Sequence, residues 1–316
     1  MDGGGLTALL TPLDGCWICG GRRLDRVHDA RLEFSEYRTQ DPGLAEYSGQ
    51  IIPIVRCAEC GFAQPASLPS LPRYFDRMYD QRWSAGWIER EHHAAYKDGI
   101  FDDILGALAR RLAPDRRRLL DVGAHAGRFI ARARARGWQA DGLELNPATA
   151  AFAASASGGA VHQGNLFTWA GDGTGYDAVT LTDVLEHIPD PRSALRRVRD
   201  LLQPGGWVAV KVPNARAQRI KEGIRGRLRR GYRPSIADNL VHVNHFDPRS
   251  LKLALEREGF ADVRVLVAAP EMPEGSVPAA RLDRLTRNLA YRVARATSGG
   301  TGLPVAFNLQ AYARRA

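Results

Sequence analysis

The sequence predicts an α/β fold with a mostly parallel sheet, preceded by a small metal-binding module. Three observations carry that prediction. Beyond Pro114, strand-like apolar runs alternate with helix-like stretches; a glycine-punctuated turn joins the first such strand to a helix; and all four cysteines fall in the first 60 residues as two Cys-x-x-Cys pairs. The turn comes first in the argument. Leu119 to Val122 runs into Gly123-Ala124-His125-Ala126-Gly127 and on into Arg128 and Phe129. Glycines at 123 and 127 permit positive φ and close approach of a ligand, and the helix start offers N–H donors. Trp138 to Leu145 reads as the next strand and carries Glu144 near its end, a carboxylate suited to a ribose diol. A dinucleotide fingerprint would need Gly-x-Gly-x-x-Gly. In that register the chain offers Gly123, His125 and Arg128, which disfavours a pyrophosphate ligand.

The Asp-x-Gly-x-x-x-Gly form at 121–127 resembles the first motif of class I S-adenosylmethionine (SAM) methyltransferases, and later segments follow in that family's order. Gly164-Asn165-Leu166-Phe167 comes after a short strand near Ala160 to His162. Tyr176 to Pro191, with its Leu185-Glu186-His187-Ile188-Pro189-Asp190-Pro191 run, is similar to the fourth-strand motif of small-molecule methyltransferases. Leu202 to Asn214 matches the Pro-Gly-Gly turn and fifth strand. The resemblance implies a seven-stranded Rossmann-like sheet with SAM as cofactor. Asp121 would hold the amino acid end, Glu144 the ribose hydroxyls and Asn165 the adenine amino group through its carbonyl oxygen. Gly123, Ala124, Gly127, Leu145, Leu166, Thr182 and Asp183 complete the implied pocket. His125 and Asn165 depart from the family pattern. The aromatic stretch Tyr74 to Tyr79, with Trp83 and Trp87, corresponds to a segment over the methionyl end, and Tyr79 is the candidate for a hydroxyl contact.

Methyl transfer to a hydroxyl needs a proton acceptor. His187, after the fourth strand, is the first candidate, and its ordinary titration range suits neutral pH. His242 and His245, before a late helix, are the rivals. Asp183, Glu186 and His187 also resemble the acidic-x-x-Glu-His pattern of ubiquinone-pathway O-methyltransferases, which allows Mg2+, an option the few visible ligands argue against. The expected acceptor is a small hydroxylated metabolite such as a sugar or natural-product scaffold, phosphorylated or nucleotide-linked acceptors included. The rivals are a nucleic-acid or protein methyltransferase using the cysteine module, and a non-catalytic adaptor with a vestigial SAM fold. The amino-methylating Asn/Asp-Pro-Pro-aromatic motif is absent, since Val212-Pro213-Asn214 does not match it.

Cys16-Trp17-Ile18-Cys19-Gly20 and Cys57-Ala58-Glu59-Cys60-Gly61 form two knuckles whose spacing suits a tetrahedral thiolate site. Zn2+ fits better than disulfides in a cytoplasmic protein, and four thiolates leave no open position for water, so the metal's role is structural. Gln50 to Arg56 reads as a strand entering the second knuckle. The module resembles the zinc-binding segment before the catalytic domain of many bacterial sugar and natural-product methyltransferases. Its arginines are interleaved with acids, which disfavours nucleic acid as a partner.

The implied organisation is a zinc-binding, zinc-ribbon-like module at 1–70 and a methyltransferase domain at 71–316, with a helical and aromatic cap at 71–115 and an insertion at 269–304. Apolar periodicity predicts one helix over Glu91 to Leu112, a late helix from Asp247-Pro248 to Gly259, a sixth strand at Val263 to Ala268 and a last strand at Val305 to Tyr312. Two arginine-rich stretches stand apart. Residues 216–233 follow the fifth strand, placed either as a lid over a phosphorylated substrate or as a solvated helix. The insertion carries a Leu282, Leu285, Leu289, Val293 stripe with arginines nearby, expected to pack on its own domain, with contact to a membrane surface as the alternative. The net charge of +9 is compatible with acidic partners without choosing among them. No apolar run reaches membrane-span length and the first residues lack a secretory layout, so a cytoplasmic setting is the expectation. The oligomeric state stays open.

Overall fold

The computed structural model describes residues 9–80, 85–171, 173–272, 278–297 and 308–316. Trp83 and the expected strand residues 305–307 lie outside them.

The first segment folds around the cysteine knuckles. Strands β1 (Leu10–Pro12), β2 (Leu24–Arg31), β3 (Ile51–Cys57), β4 (Ala63–Pro65) and β5 (Ser67–Pro69), with the short helix α1 (Pro42–Ala45), form two small antiparallel sheets. β3 enters the second knuckle as its alternating apolar pattern predicts and pairs with both β2 and β4. This segment does not keep a core to itself. Cys16, Ile18, Cys57, Cys60 and Phe62 are buried in the same apolar cluster as Phe246, Leu251 and Leu255 beyond the central sheet, and the Phe62 and Phe246 rings lie 5.0 Å apart.

Three helices bridge to the sheet: α2 (Tyr74–Asp80), α3 (Ala85–His93) and α4 (Asp98–Ala109). The single helix expected over 91–112 is thus broken between His93 and Asp98. The cause is a competing set of bonds: Arg128 donates to the His92 carbonyl at the end of α3 and pairs with Asp98, while Lys97 in the gap turns to Asp183.

The sheet is laid down by β6 (Arg118–Val122), α5 (Arg128–Arg134), β7 (Gln139–Glu144), α6 (Pro147–Ser157), β8 (Val161–Gln163), β9 (Tyr176–Thr182), α7 (Pro191–Leu201), β10 (Leu202–Pro213), α8 (Ala215–Leu228), α9 (Pro248–Arg257), β11 (Phe260–Val267), α10 (Pro278–Ala296) and β12 (Asn308–Arg315). Its order is β11-β12-β10-β9-β6-β7-β8. β12 runs antiparallel between β10 and β11, and the pairs from β10 through β8 are parallel. Central strands such as Tyr176 to Leu181 are buried on both faces, as parallel strands sandwiched by helices must be. Local signals set the helix starts. Asp247 caps α9 in a reciprocal capping box with Ser250, and Asn146 and Asp190 cap α6 and α7 ahead of a proline at the first turn. The strand order reverses between β6 and β9, and the ligand crevice of such a sheet opens beyond their carboxyl ends.

Candidate functional site

A cavity of about 510 Å³ occupies that crevice, lined by the turn after β6, the end of β7, the loop after β8, the end of β9 and residues of α2 and α3. The β6 turn is built from residues in the left-handed region, Gly123 (φ 72°), His125 (φ 50°) and Gly127 (φ 76°). Glycine at 123 is required by closeness as well as by φ, since a Cβ there would meet a Val184 methyl at 2.4 Å. Gly127 has a different role from the one its motif suggested. It does not line the cavity; a Cβ there would meet Ala153 and Ser157 of α6 at 3.0–3.1 Å, so it lets α5 and α6 pack closely.

Four of the turn's N–H groups are spent on partners within the fold. Gly123 and Ala124 donate to the Leu143 carbonyl, His125 to Glu144 Oε2 at 2.8 Å and Gly127 to the Ala124 carbonyl. Side chains therefore take a larger share of recognition. Glu144 also accepts from Asn146 N–H through Oε1 at 3.0 Å, which fixes its carboxylate at the cavity wall, and burial raises its pKa. Asp121 is enclosed and accepts from the Thr180 hydroxyl at 2.6 Å; burial pushes its carboxyl up to about 7. Ala124, Leu145, Leu166, Thr182 and Asp183 all line the cavity, as implied.

Asn165 lines it too, but its carbonyl oxygen accepts from Phe167 N–H and its amide donates to Asp76 at 3.2 Å. Asp76 on α2, which no motif marked, places a second acceptor beside it in the same wall. Trp87 was read only as part of an aromatic stretch; its ring lies edge-on to His125, 4.8 Å between centroids, and burial lowers the His125 pKa to about 4, so that imidazole is neutral.

Tyr79 orients a histidine. Its hydroxyl lies 2.7 Å from His187 Nδ1 and donates to the Val241 carbonyl, which Nδ1 also faces. With two oxygens beside it, Nδ1 carries the ring proton and Nε2 keeps the lone pair. The His242 ring stands 4.9 Å from that of His187. The third candidate base is corrected: His245 is buried against the cysteine segment, its backbone paired with Ala63 and its ring edge-on to His28. It lines neither cavity described here, and burial, with His242, His28 and Arg219 nearby, lowers its pKa to about 3.

A second cavity of about 290 Å³ adjoins the first and shares Tyr96, Lys97, Asp183 and His187 with it. Glu186, His242, Lys211, Lys221 and Glu271 also line it. Asp183, at φ 58°, does not join Glu186 and His187 as the magnesium pattern implied. Its carboxylate bonds the Lys97 ammonium at 2.8 Å and the fully buried Lys211 ammonium, which binds Glu271 at 3.0 Å. Against the push of burial, these two cations hold Asp183 well below the usual carboxylate range. His242 takes the place expected of Asp183, and Glu186, His187 and His242 offer ligand atoms within 4.8 Å of one another. Of the arginine-rich stretch after β10, Gln218 and Lys221 reach the cavity, while Arg225, Arg227, Arg229 and Arg230 are exposed, which makes most of it a solvated helix.

The four cysteine sulfurs lie within 4.8 Å of one another, with Cys16–Cys60 at 3.5 Å and Cys19–Cys57 at 3.4 Å. The bond between Cys60 and Cys16, together with burial, holds the Cys60 thiol far above its usual range while the same bond lowers Cys16 to about 5, so the pair resists ionising together without a cation among the sulfurs.

A family model described as a methyltransferase domain matches residues 91–265. The chain belongs to this methyltransferase family. It is an enzyme that uses S-adenosylmethionine. Among curated relatives, a ubiquinone biosynthesis O-methyltransferase of Chromobacterium violaceum is 46% identical over 43 residues, 14% of this chain and 18% of that protein. The enzyme thus spans less than a fifth of that relative's length. Among solved structures, a chain from the complex of the Haloferax volcanii Trm112 methyltransferase activator with a methyltransferase matches with a TM-score of 0.50 at 16% identity, covering 76% of this chain and 97% of that one. A SAM-dependent methyltransferase from Mesorhizobium loti matches with a TM-score of 0.46 at 20% identity, covering 69% and 99%. At 16% identity, the first of these likenesses speaks to the fold.

The enclosed Asp121 generates a prediction. A carboxyl raised from 3.8 to about 7 costs the folded apoenzyme stability once pH exceeds the unfolded value, and the cost is complete above the folded value. Asp121→Asn removes it, so thermal denaturation of the apoenzyme should show the variant gaining on wild type between about pH 4 and pH 7 and holding that lead above. A lead that shrinks as pH rises contradicts this placement of the charge.

Proposed function

We propose that this methyltransferase transfers a methyl group to a hydroxyl oxygen of a small hydroxylated metabolite, such as a sugar or natural-product scaffold, held in the second cavity. The reading rests on one juxtaposition: His187, its ring fixed by Tyr79 and Val241, belongs to the walls of both cavities, with His242 beside it on the acceptor side. SAM, when bound, supplies the methyl group and a neutral thioether leaving group. Glu144 would hold the ribose hydroxyls, Asp121 the ammonium of the amino acid end, and Asp76 with Asn165 the adenine edge. His187 Nε2 would take the proton that the acceptor hydroxyl gives up as it is methylated. The name of the Chromobacterium relative supports oxygen as the atom methylated, over a short alignment.

The cysteine cluster is read as a structural zinc site. A tetrahedral ion with Zn–S bonds of about 2.3 Å sets its sulfurs roughly 3.8 Å apart, near the distances between these thiols. With four thiolate ligands the ion would fasten the first segment to the catalytic core without touching the reaction.

Two measurements test these readings. Across a panel of sugar, nucleotide-sugar and phenolic acceptors, His187→Gln should lower kcat about 100-fold while binding of S-adenosylhomocysteine stays within a few-fold of wild type. Full turnover in both His187→Gln and His242→Gln would exclude this pair as the proton acceptor. Elemental analysis of purified enzyme should find about one zinc per chain, lost in Cys57→Ser/Cys60→Ser together with the near-neutral melting transition. A zinc-free wild type that melts in the same way rejects the zinc assignment.

A further inference from the structure

Helix α10 is amphipathic in an inverted sense. Its inner side is secured: Ala294 is fully buried, the Tyr291 hydroxyl donates to Asp103 at 2.9 Å, and Arg287 and Arg295 donate to the carbonyls of Glu271 and Val267. The stripe expected to pack on the domain faces solvent instead, with Leu282 62%, Leu285 67%, Leu289 65% and Val293 45% exposed. Their spacing puts all four on one face of a 19-residue helix, where Arg281 and Arg292, both exposed, border them. Three large aliphatic side chains more than half exposed in one row are unlike the scattered apolar residues of an ordinary surface.

The charge on this helix selects the occupant. It carries five arginines and one aspartate in a chain of net charge +9. A second copy docked face to face would bring both sets of arginines together, which opposes self-association through this face. A nucleic acid would satisfy the arginines and leave the leucines wet. An anionic bilayer surface satisfies both, because the leucines enter the boundary between headgroups and acyl chains while the bordering guanidiniums stay with the lipid phosphates. We propose that α10 docks this methyltransferase on the surface of an anionic membrane, lying flat with Leu282, Leu285, Leu289 and Val293 inserted and Arg281 and Arg292 on headgroup phosphates. No described helix is long and apolar enough to cross a bilayer, so the contact is peripheral. Such docking would bring the acceptor cavity's owner to membrane-held acceptors without any change in its chemistry.

Vesicle co-sedimentation of the full chain tests this, with phosphatidylglycerol-containing and pure phosphatidylcholine vesicles side by side. The expected result is binding to the anionic vesicles only, reduced about 100-fold in partition by Leu285→Glu/Leu289→Glu. Arg281→Glu/Arg292→Glu should weaken binding to a similar degree, and both variants should keep wild-type affinity for S-adenosylhomocysteine, showing that they fold. Absence of binding to anionic vesicles overturns the proposal, as does binding that survives the double leucine change. A light-scattering dimer that Leu285→Glu/Leu289→Glu dissociates would hand the face to a second copy and likewise overturn it.

Discussion

The site depends on one carboxylate. Glu144, at the end of β7, accepts hydrogen bonds from His125 N–H across the turn after β6 and from Asn146 N–H at the start of α6, and it still faces the cavity. Two neighbouring strands and the helices that follow them are thereby locked beside the point where the sheet reverses order. The lock uses up donors that would otherwise hold a pyrophosphate, and so shifts recognition from backbone to side chains. A group with one ammonium, one diol and one purine edge matches that distribution of acceptors better than a diphosphate does.

A second constraint governs the acceptor side. Lys211 is buried on the central strand β10, and its ammonium is held between Asp183 and Glu271 while Lys97 completes the set. Removing Asp183 would leave the Lys97 and Lys211 ammoniums with Glu271 as their shared counter-charge, Lys211 being fully buried. The network therefore fixes the left-handed turn at Asp183 that starts the Glu186-His187 segment. Through Tyr79 and Val241 the same region sets the orientation of His187, linking the charged network to the proposed chemistry.

Much of this was legible in the chain itself. The alternation of strands and helices, the α9 cap and most of the residues of the cavity wall followed from motif order and from local patterns such as Asp247-Pro248, since these depend on short-range chemistry. The long-range pairings were not legible. Nothing near Lys211 says that it will meet Asp183 and Glu271, and nothing near Asp76 says that it will stand beside Asn165. His245 was misplaced for the same reason: three residues from His242, it turns toward the cysteine segment because its backbone pairs with Ala63, a partner far back in the chain. Gly127 resembled a ligand-facing glycine, yet the atoms that exclude a side chain there belong to α6. The α10 stripe shows a further limit, since periodicity marks an apolar face without saying whether protein or something else will cover it.

The central claim is that the Glu144 carboxylate, seated by the β6 turn, receives the cofactor's ribose. Calorimetric titration of wild type and Glu144→Gln with S-adenosylhomocysteine, beside their melting curves, tests it most directly. The account predicts at least a tenfold loss of affinity, about 1.4 kcal/mol, in a variant that still melts cooperatively. Equal affinity in the two proteins would contradict it.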